Sequence, residues 1–557
     1  MTRNREAELV FMPLGGVGEI GMNLGLYGYG PPHERAWLAV DLGVAFAGPD
    51  LPGVDLVFPD ISYLEEERTN LAGIVLTHAH EDHYGAVIDL WPRLRVPIYA
   101  TAFTANLITA KLASEPGKGP IPVTVVEPGK PFTLGPFNVE FINVAHSIPE
   151  SNALAIRTPA GIVLHTGDWK IDETPVIGLP TDAKRLREIG DEGVLAMICD
   201  STNALREGKS PSETEVGLVL TDIIRNAKGR VAFTTFASNV GRIRSVAVAA
   251  AAAGREVVVV GRAMRRVIDV ATELGYLEGL RPFLDEESYP HLPRGNTVAL
   301  LTGSQGEPRA ALARVASEEH RNVELVAGDM VVFSSRAIPG NEKAVNTIIN
   351  TLVTRGVKIV TDRDALVHVS GHPRRDELRE MYGWVRPKVA VPVHGEAMHL
   401  AAHADFARQM GVETVLTIRN GTMIRLGPGR AEKVDEIDAG RIYKDGSLVG
   451  PLETIGVAER RKLSFSGHAG VLVTLDAKGN PRGDPEVELV GLPLTDASGR
   501  PLEEAVANAV FDTLDSMPRP QRRDPEVVRE AVRRAVRSAV NAVWGKKPVC
   551  TVFVAVL

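Results

Sequence analysis

The sequence predicts an α/β protein of several domains, and three observations carry that prediction. Short apolar runs closed by turn or polar residues fill the first 200 positions, helical and strand patterns alternate over 206–365, and a change of composition at 449–461 precedes a small α+β region. A chain of 557 residues suggests about three or four domains at roughly 150 residues each.

The runs AWLAVDLG (36–43), AGIVLTH (72–78), FNVEFINVAH (137–146) and GIVLHTGD (161–168) read as strands, each leading into a polar residue. Ahead of them, Gly16, Gly18 and Gly21 form G-x-G-x-x-G, with Asp41 twenty residues past Gly21. That is the spacing of a dinucleotide site, but such a site needs a helix to start at the glycines. MNLGLYGYGPP follows instead, so the reading is a glycine turn between strands. Over 206–365, VAFTTF (231–236), EVVVVG (256–261) and TVALLTG (297–303) alternate with helical patterns, the mark of a βαβ layer. Strand-like pieces return in LVHVSGH (366–372) and VAVPVHGE (389–396). The stretch GPLETIGVAERRK near 449–461 reads as neither helix nor strand and is expected to be a linker.

The last region opens with the strand and turn HAGVLVTLDAKGN. It continues to a helix from Pro525 to Trp544, with Asp524 as N-cap and proline at the first helical position. Val528, Ala531, Val532, Ala535, Val536, Ala539, Val540 and Val543 mark its apolar stripe. Arg529, Arg533, Arg534 and Arg537 read as a solvated face ahead of an RNA contact. The closing strand PVCTVFVAVL is apolar enough to pair or dimerise.

Composition narrows the class. Hydrophobic residues at 44% and charged residues at 24% describe a soluble protein, and a net charge of -8 argues against a broad basic nucleic-acid surface. Two cysteines, Cys199 and Cys550, make neither a disulfide framework nor a thiolate zinc site, so any metal must be held by histidine and carboxylate. The N-terminus has no apolar signal region, and the most apolar stretch, 245–260, is interrupted by Arg255 and Glu256. No membrane segment and a cytoplasmic location are expected.

The chemistry concentrates in THAHEDH, directly after strand 72–77. Alternation on leaving a strand lets His78 and His80 address one metal ion while Asp82 and His83 address a second. Alone, the cluster also reads as a hydrogen-bonded surface turn. His146, Asp168 and His394 each follow a strand, where α/β sheets place their chemistry; for any one of them, a buried hydrogen-bonded residue is the plainer reading. Together, seven such residues point to two metal ions.

In this order the residues resemble the metallo-β-lactamase superfamily. The resemblance implies an αββα sandwich in which His78, His80 and His146 hold one ion, Asp82, His83 and His394 the other, and Asp168 bridges. Asp41 supports the site from behind the ligands, and His165 has no ligand role. The interval of 226 residues from Asp168 to His394 exceeds what a compact hydrolase of this kind needs, so a domain is inserted before the last ligand. The motifs GGVGEIGMN, THAHEDH, HSIPES, HTGDWK, CDSTNA, FASNVGRI, GRAM, LTGSQGEP, FSSRAIPGNE, HVSGHP and PVHGE resemble the β-CASP nucleases, and within them the ribonuclease J family. The domains then read as 1–205 and 366–448 for the metallo-β-lactamase part, 206–365 for a β-CASP α/β insertion, 449–461 for the linker and 462–557 for a small α+β C-terminal domain.

The resemblance implies hydrolysis of RNA phosphodiesters with two divalent ions, zinc first and manganese as the alternative. The activity implied is a 5′→3′ exonuclease preferring 5′-monophosphate RNA, with additional endonuclease cuts, in RNA maturation and decay. Asp82 and Asp168 hold the ions and orient the attacking water, and His368 is the candidate general acid. Ser370, Gly371 and His372, with Val369 and His368, cradle a phosphate, and Ser238 and Asn239 contact the same backbone or simply cap a helix. Arg242, Arg244, Arg262, Arg265 and Arg266 are expected to supply local positive surface. Asp55 and Asp445 are candidates for an additional structural cation, with surface turn acids as the plainer reading. Gly241 and Ala263 stand where many members have His and Ser, which puts RNA contacts there in doubt. A homodimer or homotetramer through the C-terminal domain and ribosome or degradosome partners are implied. The competing readings are a metallo-hydrolase of small molecules, a β-CASP nuclease acting mainly on DNA, and a non-catalytic RNA-processing scaffold.

Overall fold

The computed structural model describes residues 6–115, 117–338 and 340–557. They form two compact units, one holding most of the chain up to Arg441 and the other made of Phe46–Val57 with Ile442–Leu557.

The first unit is built on two large sheets packed face to face. One contains the strands Glu8–Gly15, Leu24–Gly30, Ala36–Val40, Leu71–Val75 and Ile98–Ala100, and the other Phe137–Asn143, Asn152–Thr158, Gly161–His165, Val194–Asp200 and Val389–Val393. Side chains alternate across a strand, so each strand of the second sheet serves two cores. Phe141, Leu154, Ile156 and Ile198 face Phe11, Tyr27, Leu38 and Val75 of the first sheet. Their neighbours Ile142, Ala153, Ala155, Met197 and Cys199 face the helices Ala183–Glu192, Arg375–Val385 and Ala397–Gln409 through Leu186, Ile189, Leu378, Met381 and Phe406. Each fully buried Phe, Leu or Ile contributes about 1.5–3 kcal/mol by leaving water. On the other side, the helices Val87–Leu94 and Ala102–Leu112 occupy the crossovers that join parallel strands Leu71–Val75, Ile98–Ala100 and Val123–Val125. The result is a helix–sheet–sheet–helix sandwich.

Parallel pairing sets where the chemistry lies. Gly161–His165, Val194–Asp200 and Val389–Val393 are adjacent and parallel, so Asp168, Asp200 and His394 emerge at one edge. Ala36–Val40 and Leu71–Val75 are likewise parallel, with Val40 opposite Val75, which brings Asp41 beside Thr77 and His78. The glycine motif makes no helix: Gly16, Gly18 and Gly21 take positive φ between short strands.

Between Val194–Asp200 and Val389–Val393 lies a separate parallel sheet in the order Leu284–Asp285, Glu256–Val260, Thr297–Leu301, Val231–Thr234, Met330–Phe333, Lys358–Val360. It is flanked by the helices Glu213–Asn226, Val240–Ala252, Arg262–Glu273 and Glu342–Thr354. One expectation fails here. The segment 366–372 joins no ladder, and side chains take part of its backbone: the Val367 carbonyl accepts from Arg242 and from Ser334 Oγ.

In the second unit, His468–Leu475 pairs antiparallel with Glu486–Val490 and parallel with Val549–Val556. Ala469, Val471, Val473 and Leu475 pack on Val506, Val510 and Leu514 of the helix Leu502–Ser516, and on Val528, Val532, Val536 and Val540 of Pro525–Trp544. The latter helix has the expected bounds, and the Asp524 side chain caps it by accepting from Glu526 N–H at 3.0 Å. Three of its four arginines are occupied within the helix: Arg529 pairs with Glu526, and Arg533 and Arg534 with Glu530. The stretch 449–461 is not featureless, since a helix starts at Val457 and runs to Ser466. The helix formers in VAERRKLS are masked in the sequence by the preceding Gly and Pro.

Candidate metal centre

Seven side chains converge in two groups that share Asp168. His78, His80, His146 and Asp168 form one group, and Asp82, His83, Asp168 and His394 the other, with donor atoms within 4.8 Å of one another in each. A tetrahedral ion with bonds of 2.0–2.1 Å keeps its ligands about 3.4 Å apart. The separations lie on both sides of that value: His78 Nε2 to His80 Nδ1 is 3.1 Å, His80 Nδ1 to His146 Nε2 3.0 Å, His83 Nε2 to Asp168 Oδ2 3.2 Å and His394 Nε2 to Asp82 Oδ2 3.2 Å, while Asp168 Oδ2 stands 3.8 Å from His78 Nε2 and 3.7 Å from His146 Nε2.

The ring nitrogens facing away from the groups are anchored, which fixes tautomer and orientation. His83 Nδ1 donates to Asp41 at 2.7 Å, His78 Nδ1 to Thr77 Oγ1 at 3.0 Å, His146 Nδ1 to the Gly371 carbonyl at 2.6 Å, and His394 Nδ1 to Thr202 Oγ1 at 2.7 Å. Thr77 in turn donates to Asp41 through N–H and hydroxyl. Asp41 and His394 are both held at positive φ, 64° and 52°, an uncommon backbone for such residues that turns each side chain into the cleft. Gly371 is required sterically, because a Cβ there would stand 2.5 Å from the His146 ring.

The electrostatics suit a cation. Burial, then neighbouring imidazoles, pull His78 and His146 well below the usual histidine range, and burial brings His80 to about 4, so all three present the neutral, ligating form. Burial opposes the charge on Asp168, but His394, His83 and His372 outweigh it and keep the carboxylate ionised. Asp168 Oδ1 is buried without a hydrogen-bond partner, an atom a metal bond satisfies. At His83 and His394 burial works against protonation, yet Asp168 and its fellow carboxylates draw positive charge onto both rings; a divalent cation between them answers the same field.

Comparison with known proteins places the chain. Ribonuclease J of Sinorhizobium meliloti is 59% identical over 550 residues, 99% of this chain and 98% of that protein. The chain belongs to the ribonuclease J family. Ribonuclease J of Mycolicibacterium smegmatis is 40% identical over 540 residues, 96% of this chain and 95% of that one. Residues 47–179 match the beta-lactamase superfamily domain, 228–352 the ribonuclease J beta-CASP domain, 356–417 the Zn-dependent metallo-hydrolase RNA specificity domain, and 455–556 the ribonuclease J C-terminal domain. A crystal structure of a protein of unknown function from Enterococcus faecalis V583 shares the fold at a TM-score of 0.52 and 15% identity, over 75% of this chain and 100% of that one. The architecture is therefore a metallo-β-lactamase domain with a β-CASP insertion and the family's C-terminal domain.

The remaining candidate residues divide. Ser370 and His372 join the centre through groups absent from the expected set. Asn203 Nδ2 donates to Ser370 Oγ at 2.9 Å and to the His372 carbonyl at 3.1 Å, and Asp200 accepts from His372 Nδ1 at 2.8 Å. Asp200, His372, His394 and Asp168 make a third group, so among the described residues every His/Asp group able to hold an ion includes Asp168. The motif CDSTNA contained Asp200, Thr202 and Asn203, but nothing in it indicated partners about 170 to 190 residues away. His368 is half-buried, and desolvation, then Arg242 and Arg336, hold it well below the usual histidine range, so it is a neutral ring. Val369 is buried and offers only its backbone. Asn239 caps the helix Val240–Ala252 by accepting from Arg242 N–H at 2.9 Å, while Ser238 stays half-buried beside it.

Arg242 is not surface: it is fully buried, bonded to Glu213 at 2.7 and 3.0 Å and to the carbonyls of Ser334 and Val367 at 3.0 and 2.8 Å. Arg265 pairs with Asp285, and Arg244 is spent on the carbonyls of Tyr276 and Glu278. In the other unit Asp445 is paired with Arg460 and Asp55 accepts from Gly446 N–H, so their partners come from the chain itself. His165 bonds Tyr27 at 2.9 Å.

Proposed function

We propose that the protein is a two-metal ribonuclease, a 5′→3′ exonuclease preferring 5′-monophosphate RNA with additional endonuclease activity, acting in cytoplasmic RNA maturation and decay. The observation that carries this reading is the pair of His/Asp groups joined at Asp168 in a chain of the ribonuclease J family. His78, His80, His146 and Asp168 would hold one ion and Asp82, His83, His394 and Asp168 the other, a nitrogen-rich donor set that suits zinc first and manganese second. When bound, such a pair acidifies water and stabilises charge on the attacking and leaving oxygens of an in-line displacement.

The chain's own residues do the rest. Asp82, the more exposed of the two carboxylates, accepts a proton at the oxygen turned away from the ion position. His372, fixed by Asp200 and lying against the rings of His146 and His394 at 5.1 and 5.4 Å, donates one to the leaving 3′-oxygen. This replaces His368 in that role, since a neutral ring between two guanidinium groups is a poor acid; His368 instead offers an N–H. Ser370 Oγ and the turn at Gly371 cradle the phosphate, and acceptance of one phosphate but not three there would give the 5′ preference. The apolar edge strand Val549–Val556, with Phe553 62% exposed, supports a homodimer or homotetramer.

The test is digestion of 5′-monophosphate, 5′-triphosphate and 5′-hydroxyl RNAs by wild type and His80→Ala. Progressive 5′ degradation of the monophosphate RNA by wild type alone is expected. Equal activity in the two proteins, or none on any RNA, overturns the reading.

A further inference from the structure

Beyond the metal centre and the Ser370–His372 turn, three chain segments are laced together around one cluster of arginines. Asn203 reaches Ser370 and His372, Arg375 N–H donates to the Arg206 carbonyl at 2.9 Å, and Arg375 Nε donates to the Ala204 carbonyl at 2.9 Å. Ser334 Oγ donates to the Val367 carbonyl at 2.7 Å, which ties the 334–336 segment to the same loop. Arg206, Arg336 and Arg374 therefore project from neighbouring strands of chain. Arg374 is two residues past His372, at most about 7 Å along the backbone.

Their charges are poorly compensated. Asp362 engages Arg336 at 3.0 Å through one oxygen, whereas Arg206 and Arg374 pair with no carboxylate among the described residues. Arg374 Nε is buried and without a hydrogen-bond partner. Partial burial, followed by repulsion from Arg336 and Arg374, pulls the Arg206 guanidinium below its ordinary value while leaving it charged. By contrast, Arg157 and Arg185 share Glu140 and Glu192, and Arg93 forks onto Glu65. Three like charges that share one carboxylate, Asp362, beside the turn proposed to hold a phosphate suit a second phosphate, which guanidinium groups bind through paired N–H donors.

We propose that Arg206, Arg336 and Arg374 form a subsite for the phosphodiester next to the one held at Ser370–His372. This rests on the reading that the substrate is RNA. The site guides the strand past the metal centre with a local positive patch, which is how a chain of net charge -8 holds a polyanion.

The test is the salt dependence of kcat/KM for a 5′-monophosphate RNA on the metal-loaded full-length protein. Each single-strand phosphate contact contributes about 0.7 to the slope of log affinity against log salt. Arg206→Gln and Arg374→Gln should each flatten the slope by about 0.7, and the double variant by about 1.4. Arg206→Lys with Arg374→Lys should keep the slope but raise KM, because the charge stays and the fork is lost. Arg225→Gln, an exposed cation on the helix Glu213–Asn226, removes the same charge away from the cluster and should leave the slope unchanged. An unchanged slope in the double variant, or an equal flattening in Arg225→Gln, overturns the subsite while leaving the nuclease reading intact. Arg206→Gln alone, at an exposed position, decides the matter if the double variant does not fold. A wild type that cleaves no RNA overturns the nuclease reading and the subsite with it.

Discussion

Replacing Arg242 by methionine removes the guanidinium that joins the helix Val240–Ala252 to Glu213 and to the carbonyls of Ser334 and Val367. The carbonyls keep other donors, Thr235 Oγ1 on Ser334 and Ser334 Oγ on Val367, so the stranded group is the Glu213 carboxylate, 12% exposed. Breaking a buried ion pair from one side costs about 3–5 kcal/mol, whereas replacing both partners with apolar groups is near neutral or stabilising. Arg242→Met should therefore lower the opening free energy of the inserted domain by about 3–5 kcal/mol, and adding Glu213→Leu should recover most of it. Hydrogen exchange of peptides covering 231–252 and 330–336 reads that local opening without assuming that so large a chain unfolds in one step. A loss below about 1 kcal/mol in the single variant, or a double variant as weakened as the single, would refute the reasoning.

Further predictions concern the centre and its supports. Gly371→Ala drives a methyl against the His146 ring and should weaken metal affinity by about 10–100-fold in a chelator competition, with the fold retained. Asp200→Asn leaves His372 without its carboxylate and should reduce kcat by about 10²–10⁴-fold while metal content stays at the wild-type level. Burial opposes the charge on Asp172, but Lys170 at 2.8 Å, Glu213 N–H and Ser212 outweigh it and hold its pKa below the usual carboxylate range. Its stabilising contribution is therefore present above that range and lost as pH falls through the lowered value, so wild type should lose stability in acid more steeply than Asp172→Asn.

Much of this was legible because chemistry and sequence coincide locally. His78, His80, Asp82 and His83 lie within six positions, and each later ligand announces itself as a polar residue after an apolar strand. The supports were not legible, because each is made by pairing across the fold: Asp200 gains meaning only from His372, 172 residues on. The burial of Arg242 is hidden in the sequence for a different reason. VGRIRSVAVAAAA is apolar on nearly every face, so its periodicity does not say which side is covered, and Glu213 lies on another helix. LVHVSGH has the composition of a strand, but Arg242 and Ser334 take the Val367 carbonyl that a ladder would use.

The central claim is a centre for two ions joined at Asp168, and counting them tests it most directly. Elemental analysis of the purified full-length protein after zinc or manganese loading should give about two ions per chain. His146→Ala and His394→Ala, each removing a ligand from one of the two proposed ions, should each retain about one. A wild type that cleaves RNA while holding a single ion, or variants that keep two, would contradict the account.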